Sequence, residues 1–280
     1  MFSNTIALSD EEFLLLNEVI EQNFGICFVE QTRRILEARL TPRLRQLQLA
    51  TFMDYYLLLQ TNGHGEIRQL ARLATNNETY FFREPYQFEA LFNGGIELLK
   101  PGLAVPGTIR VLCAGCSSGE EPYTIKIFST EHQRVLTSLT LRVDAFDIDD
   151  DRLDIAKRAD CRPRSLRDMS QDQIDRYLDE TGEDRFTVKP EYRVGVNFSY
   201  GNIVEVSTFR NPLPYDVVFC RNVLIYFSDA TLRRAIDNFA QVLRPGGLLF
   251  LGHSETIIGL TARFETVRVN NVIAYRRTAA

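Results

Sequence analysis

CAGCSSGEEP, residues 113–122, joins an apolar run, TIRVLCAG, to a helical pattern, EEPYTIKIFSTEHQ. Two cysteines three apart raise a redox or metal-binding reading, and Gly115 and Gly119 raise a phosphate-cradling one. The position matters more than either pair. A first strand-to-helix turn is where an open α/β sheet binds its ligand. A zinc site needs a second ligand pair, and the three histidines and other cysteines show no such spacing. The loop also departs from G-x-G-x-x-G, because Cys116 and Ser117 stand between its only two glycines. Ala114, Gly115, Cys116, Ser117 and Ser118 share small size, which lets backbone lie directly against a ligand.

The acids that follow refine the ligand. Glu120 and Glu121 suit a helix N-terminus, and they repel a pyrophosphate while accommodating a cation. S-adenosylmethionine, positive at its amino group and sulfonium, fits that loop better than a nicotinamide dinucleotide.

Outward from this loop, short apolar runs alternate with helical patterns. LTLRVDAFDID reads as a strand, DDRLDIAKRA as a helix, YDVVFCRN as a strand and DATLRRAIDNFAQVL as a helix. GLLFLGH is a further strand, and ARFETVRV with NVIAYRR closes the chain as an antiparallel edge. Near-continuous apolar strands alternating with helices predict an α/β fold with a doubly wound, mostly parallel sheet. Residues from about 162 to 196 interrupt the alternation and read as an insert. VLRPGG is expected to stop a helix and turn.

Before residue 75 the texture is helical. Ser9 and Glu12 form a capping box ahead of Phe13, Leu16, Ile20 and Phe24, and Gly25 ends the helix. Leu36, Leu40, Leu44 and Leu47 form the next stripe, with a kink or break expected at Pro42. TFMDYYLLLQ and EIRQLARLAT complete a small bundle. The expected organisation is a helical domain over 1–75, a linker and helix over 76–107, and an α/β domain over 108–280 carrying the insert.

Bulk properties exclude classes. A net charge of −5 provides no basic field for nucleic acid. No apolar run approaches the ~18 residues of a membrane span, and MFSNTIALSDEEF lacks the basic start and apolar core of a secretory leader. Five scattered cysteines suit a reducing compartment, so a cytoplasmic protein is expected.

Three further stretches carry candidate chemistry. Asp147 ends the second strand, placed for ribose hydroxyls, whereas Asp149 and Asp150 read as helix caps. Arg221 and Asn222 fall at the C-terminal end of YDVVFC, with Tyr226 just beyond. In NNETYFFRE, Thr79 and Arg83 flank three aromatics, of which Phe81 and Phe82 are expected in a cluster between the two domains. Arg33, Arg34, Arg39, Arg43 and Arg45 crowd one helical stretch as a basic face.

TNNETYFFRE, CAGCSSGEEPYT, FDIDDDRL, VNFSYGNI and YDVVFCRNVLIYF with LRPGGLLFLGHSE, in this order and spacing, resemble the chemotaxis-receptor glutamate methyltransferases of the CheR type. The resemblance covers essentially the whole chain. It implies a helical N-terminal domain, a Rossmann-like S-adenosylmethionine methyltransferase domain and a small inserted antiparallel β-subdomain. It implies cofactor contacts from Asn77, Thr79, Arg83, Glu121, Asp147, Asn202, Ile203, Arg221 and Asn222, with Arg83 and Tyr226 as catalytic candidates and no metal. The implied partners are the cytoplasmic methylation helices of receptors, without nucleic acid or membrane insertion. Relatives that dock on a receptor C-terminal pentapeptide have a glycine-rich loop in the insert; here the segment keeps only Gly182 before its last strand, among Glu180, Glu183 and Asp184, so no such tether is expected.

Rival readings differ in class. A nucleic-acid N-methyltransferase needs an Asn/Asp-Pro-Pro-aromatic loop where this chain has CRNVLIYF, and a cytosine C5 enzyme needs a proline before Cys220. A methyltransferase of another protein or small molecule, and a non-catalytic cofactor-binding module, remain as alternatives.

Overall fold

The structure, a computed structural model, describes residues 6–61, 63–104, 106–209 and 213–279. The chain divides into two compact units. The first holds the residues up to Asn76 together with Tyr226–Leu232, and the second holds Asn77–Ile225 and Arg233–Ala280.

The first unit contains helices α1 (Asp10–Phe24), α2 (Arg33–Gln46), α3 (Phe52–Thr61) and α4 (Gly63–Ala74). The capping box of α1 is formed: Ser9 Oγ accepts from Glu12 N, and the Glu12 carboxylate accepts from Ser9 N at 2.9 Å. Phe13, Leu16, Ile20 and Phe24 are its buried stripe, and Gly25 ends it at φ 77°. Of the kink or break expected at Pro42, the break does not occur, since α2 runs through the proline. A mid-helix proline costs about 3 kcal/mol, whereas Leu36, Leu40 and Leu44 are fully buried, each worth about 1.5–3 kcal/mol. Packing wins.

The expected basic face is largely consumed internally. Arg43 pairs with the buried Glu66 carboxylate at 2.6 Å, which also accepts from Tyr55 Oη at 2.9 Å. Burial, then the Glu66 charge, pushes the Tyr55 phenol well up. Arg39 donates to the carbonyls of Ala74 and Thr75, and Arg33 to Asp10 and Leu8 O. Of the five arginines, Arg34 and Arg45 are exposed.

The strands of the second unit, among the described residues, begin with β1 (Gly107–Ala114) and β2 (Leu139–Asp147). The insert supplies β3 (Asp160–Cys161), β4 (Leu178–Gly182) and β5 (Arg185–Val188). Then come β6 (Val196–Tyr200), β7 (Tyr215–Cys220), β8 (Leu243–Leu251), β9 (Phe264–Val269) and β10 (Val272–Arg277). Seven of them form one sheet in the order β6-β2-β1-β7-β8-β10-β9. β6, β2, β1, β7 and β8 are mutually parallel, and β10 pairs antiparallel with both β8 and β9. Chain order runs outward from β1 through β2 to β6, then returns to β7 on the other side of β1. The gap between β1 and β7 is therefore the switch point at which such sheets bind ligands.

The insert forms a separate antiparallel sheet in the order β3-β5-β4. The expected turn at Pro245-Gly246-Gly247 lies inside β8. Its pairing with β7 jumps from Tyr215↔Leu243 to Val217↔Leu248, so the extra residues bulge without ending the strand. The bulge is held by Arg244, which reaches Asp216 at 2.6 Å and Leu99 O at 2.7 Å.

Phe81 and Phe82, expected in a cluster between domains, have their partners within the second unit. Both are buried in the core of the second unit, Phe82 against Phe128 and Tyr177 with ring centres 6.0 Å apart. Phe219 stacks on Phe250 at 4.8 Å beneath the switch point.

Candidate functional site

The loop after β1 is built for close approach. Gly115 has φ 82°, and a Cβ placed there would lie 2.7 Å from Val223 Cγ2 in the loop after β7. Ser117 also adopts a left-handed backbone, φ 47°, before Gly119 at 95° opens the helix Glu120–Glu131. Gly115 and Cys116 donate their N–H groups to Phe146 O, tying the loop to the end of β2.

Their surroundings disfavour thiolate chemistry at Cys113 and Cys116. All five cysteines are free, and Cys113 and Cys116 are buried. Burial, then neighbouring carboxylates, raises both thiols well above their ordinary range, which suppresses nucleophilicity and metal binding. Among the described residues, no three His, Cys, Asp or Glu side chains are grouped as metal ligands would be. Replacing Cys113 and Cys116 together by alanine is expected to leave activity within about twofold of wild type, because the loop needs only their small size. A folded, cofactor-binding but inactive double variant would restore a role for the thiols.

Asp147 ends β2 beside this loop. One carboxylate oxygen accepts from Ser117 N at 2.7 Å and the other from Asp149 N at 2.9 Å. Burial outweighs these bonds and pushes its carboxyl up to about 6. Asp149 instead caps the next helix, accepting from Asp151 N and Arg152 N, and its second oxygen accepts from Asn77 Nδ2 at 2.7 Å. Asn77 is further joined to the loop by Ser117 Oγ, which donates to its carbonyl.

β6 aligns with β2 so that Asp147 faces Tyr200, and Gly201 N donates to Asp147 O. That register carries Asn202 and Ile203 to the same edge. Asn202 is buried and folded on its own turn, where its Oδ1 accepts from Val204 N; Ile203 O accepts from Asn238 Nδ2.

Across the switch point, Arg221 is turned inward. It is 2% exposed, its guanidinium lies 3.0 Å from Glu121 and 3.4 Å from Glu84, and it also donates to Arg83 O. It lies over the Phe88 ring at 4.9 Å. Burial dominates at Glu121 and lifts its carboxyl despite Arg221, while at Glu84 the burial effect is outweighed by Arg221 and His253, which hold it low. The Glu120 carboxylate accepts from Ser118 Oγ of the loop at 2.9 Å, and burial raises it. Phe82 and Glu84 flank Arg83 with left-handed backbones, φ 59° and 51°, so Arg83 is presented by a segment that its surroundings must hold in place. Its guanidinium donates to Glu78 O at 2.8 Å and lies 5.5 Å from the Tyr80 ring centre. Thr79 is half-buried between Asn77 and Arg83.

Asn222, at φ 60°, leaves its buried Oδ1 without a hydrogen-bond donor. An acceptor left bare costs about 1–3 kcal/mol, and a cationic or N–H donor from a ligand would relieve it. A small-residue cradle, an acid at the end of β2 and this bare oxygen fit S-adenosylmethionine. Tyr226 belongs to the first unit, where its hydroxyl accepts from Asn76 Nδ2 at 2.8 Å and its carbonyl accepts from Cys27 N. Sequence reasoning missed Glu84, which pairs with Arg221, and Glu255, whose carboxylate gathers the backbone of the loop after β7. Nothing in GHSE marks that role, since it depends on contacts some thirty residues away.

The all-alpha domain of CheR methyltransferases matches residues 11–75, and the SAM binding domain of CheR methyltransferases matches residues 77–273. Chemotaxis protein methyltransferase of Escherichia coli K12 is 35% identical over 273 residues, covering 96% of this chain and 92% of that protein. Chemotaxis protein methyltransferase 2 of Vibrio cholerae serotype O1 is 32% identical over 276 residues, covering 97% and 94%. Among solved structures, magnesium protoporphyrin IX methyltransferase (ChlM) of Synechocystis PCC 6803 with bound SAM overlaps 78% of this chain and 93% of its own, at 14% identity and a TM-score of 0.38. With both domain models matched in order and relatives at one-third identity spanning nearly every residue, this chain belongs to the CheR methyltransferase family.

Proposed function

We propose that this protein transfers a methyl group from S-adenosylmethionine to glutamate side chains on the cytoplasmic methylation helices of chemotaxis receptors, forming methyl esters. The observation that carries the reading is the switch point itself, where the small-residue loop after β1 donates to the acid Asp147 and packs against Val223, next to Asn222 with its bare Oδ1. Membership of the family supports it. Among the described residues no helix is long and apolar enough to cross a membrane. Action in the cytoplasm belongs to the proposal.

S-adenosylmethionine supplies an electrophilic methyl group on a sulfonium. The residues then have separate tasks. Asp147 accepts from ribose hydroxyls, and Asn222 Oδ1 accepts from the cofactor's donors. Asn77, Thr79, Asn202 and Ile203 line the same edge, while Glu121 and Arg221 brace it. A glutamate carboxylate is already ionised at pH 7, its ordinary pKa being about 4.3, so no general base is needed. Catalysis is then alignment, worth up to about 7–11 kcal/mol; Arg83 is the candidate for holding the attacking carboxylate, and Tyr226 is a second candidate by the resemblance. Esterification removes a negative charge from a receptor helix and so biases its signalling state. The test is incubation with tritiated S-adenosylmethionine and receptor-containing membranes. Alkali-labile label released as methanol is expected, and alkali-stable label would refute ester formation.

Asp147 gives this reading a pH signature. Its folded-state carboxyl is raised, so the stability it contributes is present below its ordinary value of 3.8 and is lost as pH rises through about 6. Cofactor affinity runs the other way, because ribose hydroxyls donate to the ionised form. Calorimetric titration with S-adenosylhomocysteine is expected to weaken as pH falls below about 6, approaching tenfold per unit. Asp147→Asn should weaken binding by about 1.5–3 kcal/mol and flatten the profile. A flat wild-type profile would remove Asp147 from the ribose site.

We also propose recognition of the receptor without a pentapeptide tether. β4 is an edge strand of the insert, which could accept a peptide strand, but Asp179 and Glu180 are exposed on it, with Glu183 and Asp184 at its turn. An acidic peptide would meet like charge there. Titrating the free pentapeptide while following amide shifts in residues 178–198 should give no saturable change; micromolar saturation would overturn this part.

A further inference from the structure

The loop after β7 is held by a carboxylate that the resemblance assigns no role. Glu255 follows β8 in the turn Gly252–Glu255, closed by Glu255 N donating to Gly252 O at 2.9 Å. Its Oε1 accepts from Val223 N at 2.9 Å, Leu224 N at 2.7 Å and Ile225 N at 3.3 Å. Its Oε2 accepts from Asn222 N at 2.9 Å and Gly252 N at 2.7 Å. Four consecutive backbone N–H groups thus converge on one side chain. Successive amides aimed at a point form an anion-binding concavity, and here the chain fills it with its own carboxylate.

One of the residues so held, Val223, packs against Gly115 of the loop after β1. Asn222 adopts φ 60°, a backbone that a non-glycine residue keeps only when its surroundings enforce it. Its bare Oδ1 is buried, and Val223 is the residue against which Gly115 is packed. Alternatives to Glu255 are poor. Glutamine keeps one acceptor oxygen and turns an NH2 group towards N–H donors, and aspartate is one methylene short.

We propose that Glu255 is a positioning residue for cofactor binding, acting through Asn222 and the 222–225 backbone on the donors of S-adenosylmethionine. The inference rests on the cofactor reading above. Binding of S-adenosylhomocysteine is measured by calorimetry for wild type, Glu255→Ala, Glu255→Gln, Asn222→Ala and the double variant Glu255→Gln/Asn222→Ala. Failure of wild type to bind would refute the cofactor reading itself, separately from this inference. With wild type binding, Glu255→Gln and Glu255→Ala are expected to lose about 10- to 100-fold in affinity, the scale of hydrogen bonds to a charged group. In steady-state assays KM for S-adenosylmethionine should rise while kcat at saturation is kept. Formate, matched against chloride at equal ionic strength, should occupy the vacated concavity of Glu255→Ala and restore part of the affinity, which a general loss of folding would not allow. Should Glu255→Ala fail to fold, the glutamine series decides: the double variant should bind no worse than the weaker single one. Wild-type affinity in either folded Glu255 variant, formate without effect on folded Glu255→Ala, or additive losses in the double variant would each overturn the proposal.

Discussion

Arg83→Ala is expected to lower kcat for receptor methylation by about 100-fold or more, the scale seen when a preorganised charged donor is removed from a transition state. The guanidinium is spaced from the core by a half-buried stem and donates to Glu78 O, so its removal should leave the fold intact. The backbone that presents it stays in place, because Arg221 holds Arg83 O between the left-handed Phe82 and Glu84. Lysine should not substitute, since a point charge lacks the planar fork that meets a carboxylate through two bonds. Tyr226→Phe should cost less, about tenfold, the scale of one hydrogen bond. The measurement is alkali-labile methanol at saturating cofactor and receptor, with near-ultraviolet circular dichroism as the folding control. Full turnover by either variant would end its proposed role in aligning the carboxylate.

The second large effect is on stability. Arg221→Met should destabilise the protein by about 3–5 kcal/mol, the cost of stranding buried charge. Arg221 is 2% exposed between Glu121 and Glu84, themselves only 16% and 12% exposed. Glu84 retains His253 at 2.9 Å, whereas Glu121 would keep only a hydrogen bond from the Cys113 thiol and no cation among the described residues. Burial already holds the Glu121 carboxyl above its ordinary range, and without Arg221 it would rise further. Such a group is tolerated below its raised pKa and penalised above it, so the deficit should be smaller at acid pH than at pH 8. Urea unfolding at both pH values measures this, and Arg221→Met/Glu121→Gln should recover part of the loss. A deficit below about 1 kcal/mol, the range of an exposed pair, would mean that the two acids are solvated.

Much of this is legible in the sequence because it is local. The Ser9–Glu12 box, the Gly25 stop and the alternation of apolar runs with helical patterns each report neighbours within a few residues. What misleads is a local signal overruled at a distance. Pro42 reads as a break until the burial of three leucines is weighed against it, and Pro245-Gly246-Gly247 reads as a turn until Arg244 pins it within β8. The basic stretch of α2 reads as a surface because composition does not reveal that Arg43 meets a buried Glu66.

The sequence by itself determined the classes of element, the place of the ligand loop and, through several blocks in one order, the family. Only the tertiary structure decided which partners each side chain meets there. It turned Arg221 inward between Glu121 and Glu84, committed both oxygens of Asp147 to backbone N–H groups, and left Asn222 Oδ1 bare. It also set Glu255 beneath four amides of a strand loop some thirty residues earlier. The reason is physical. Helix and strand preferences depend on near neighbours along the chain, whereas hydrogen-bond partners and burial depend on which strands the sheet sets side by side.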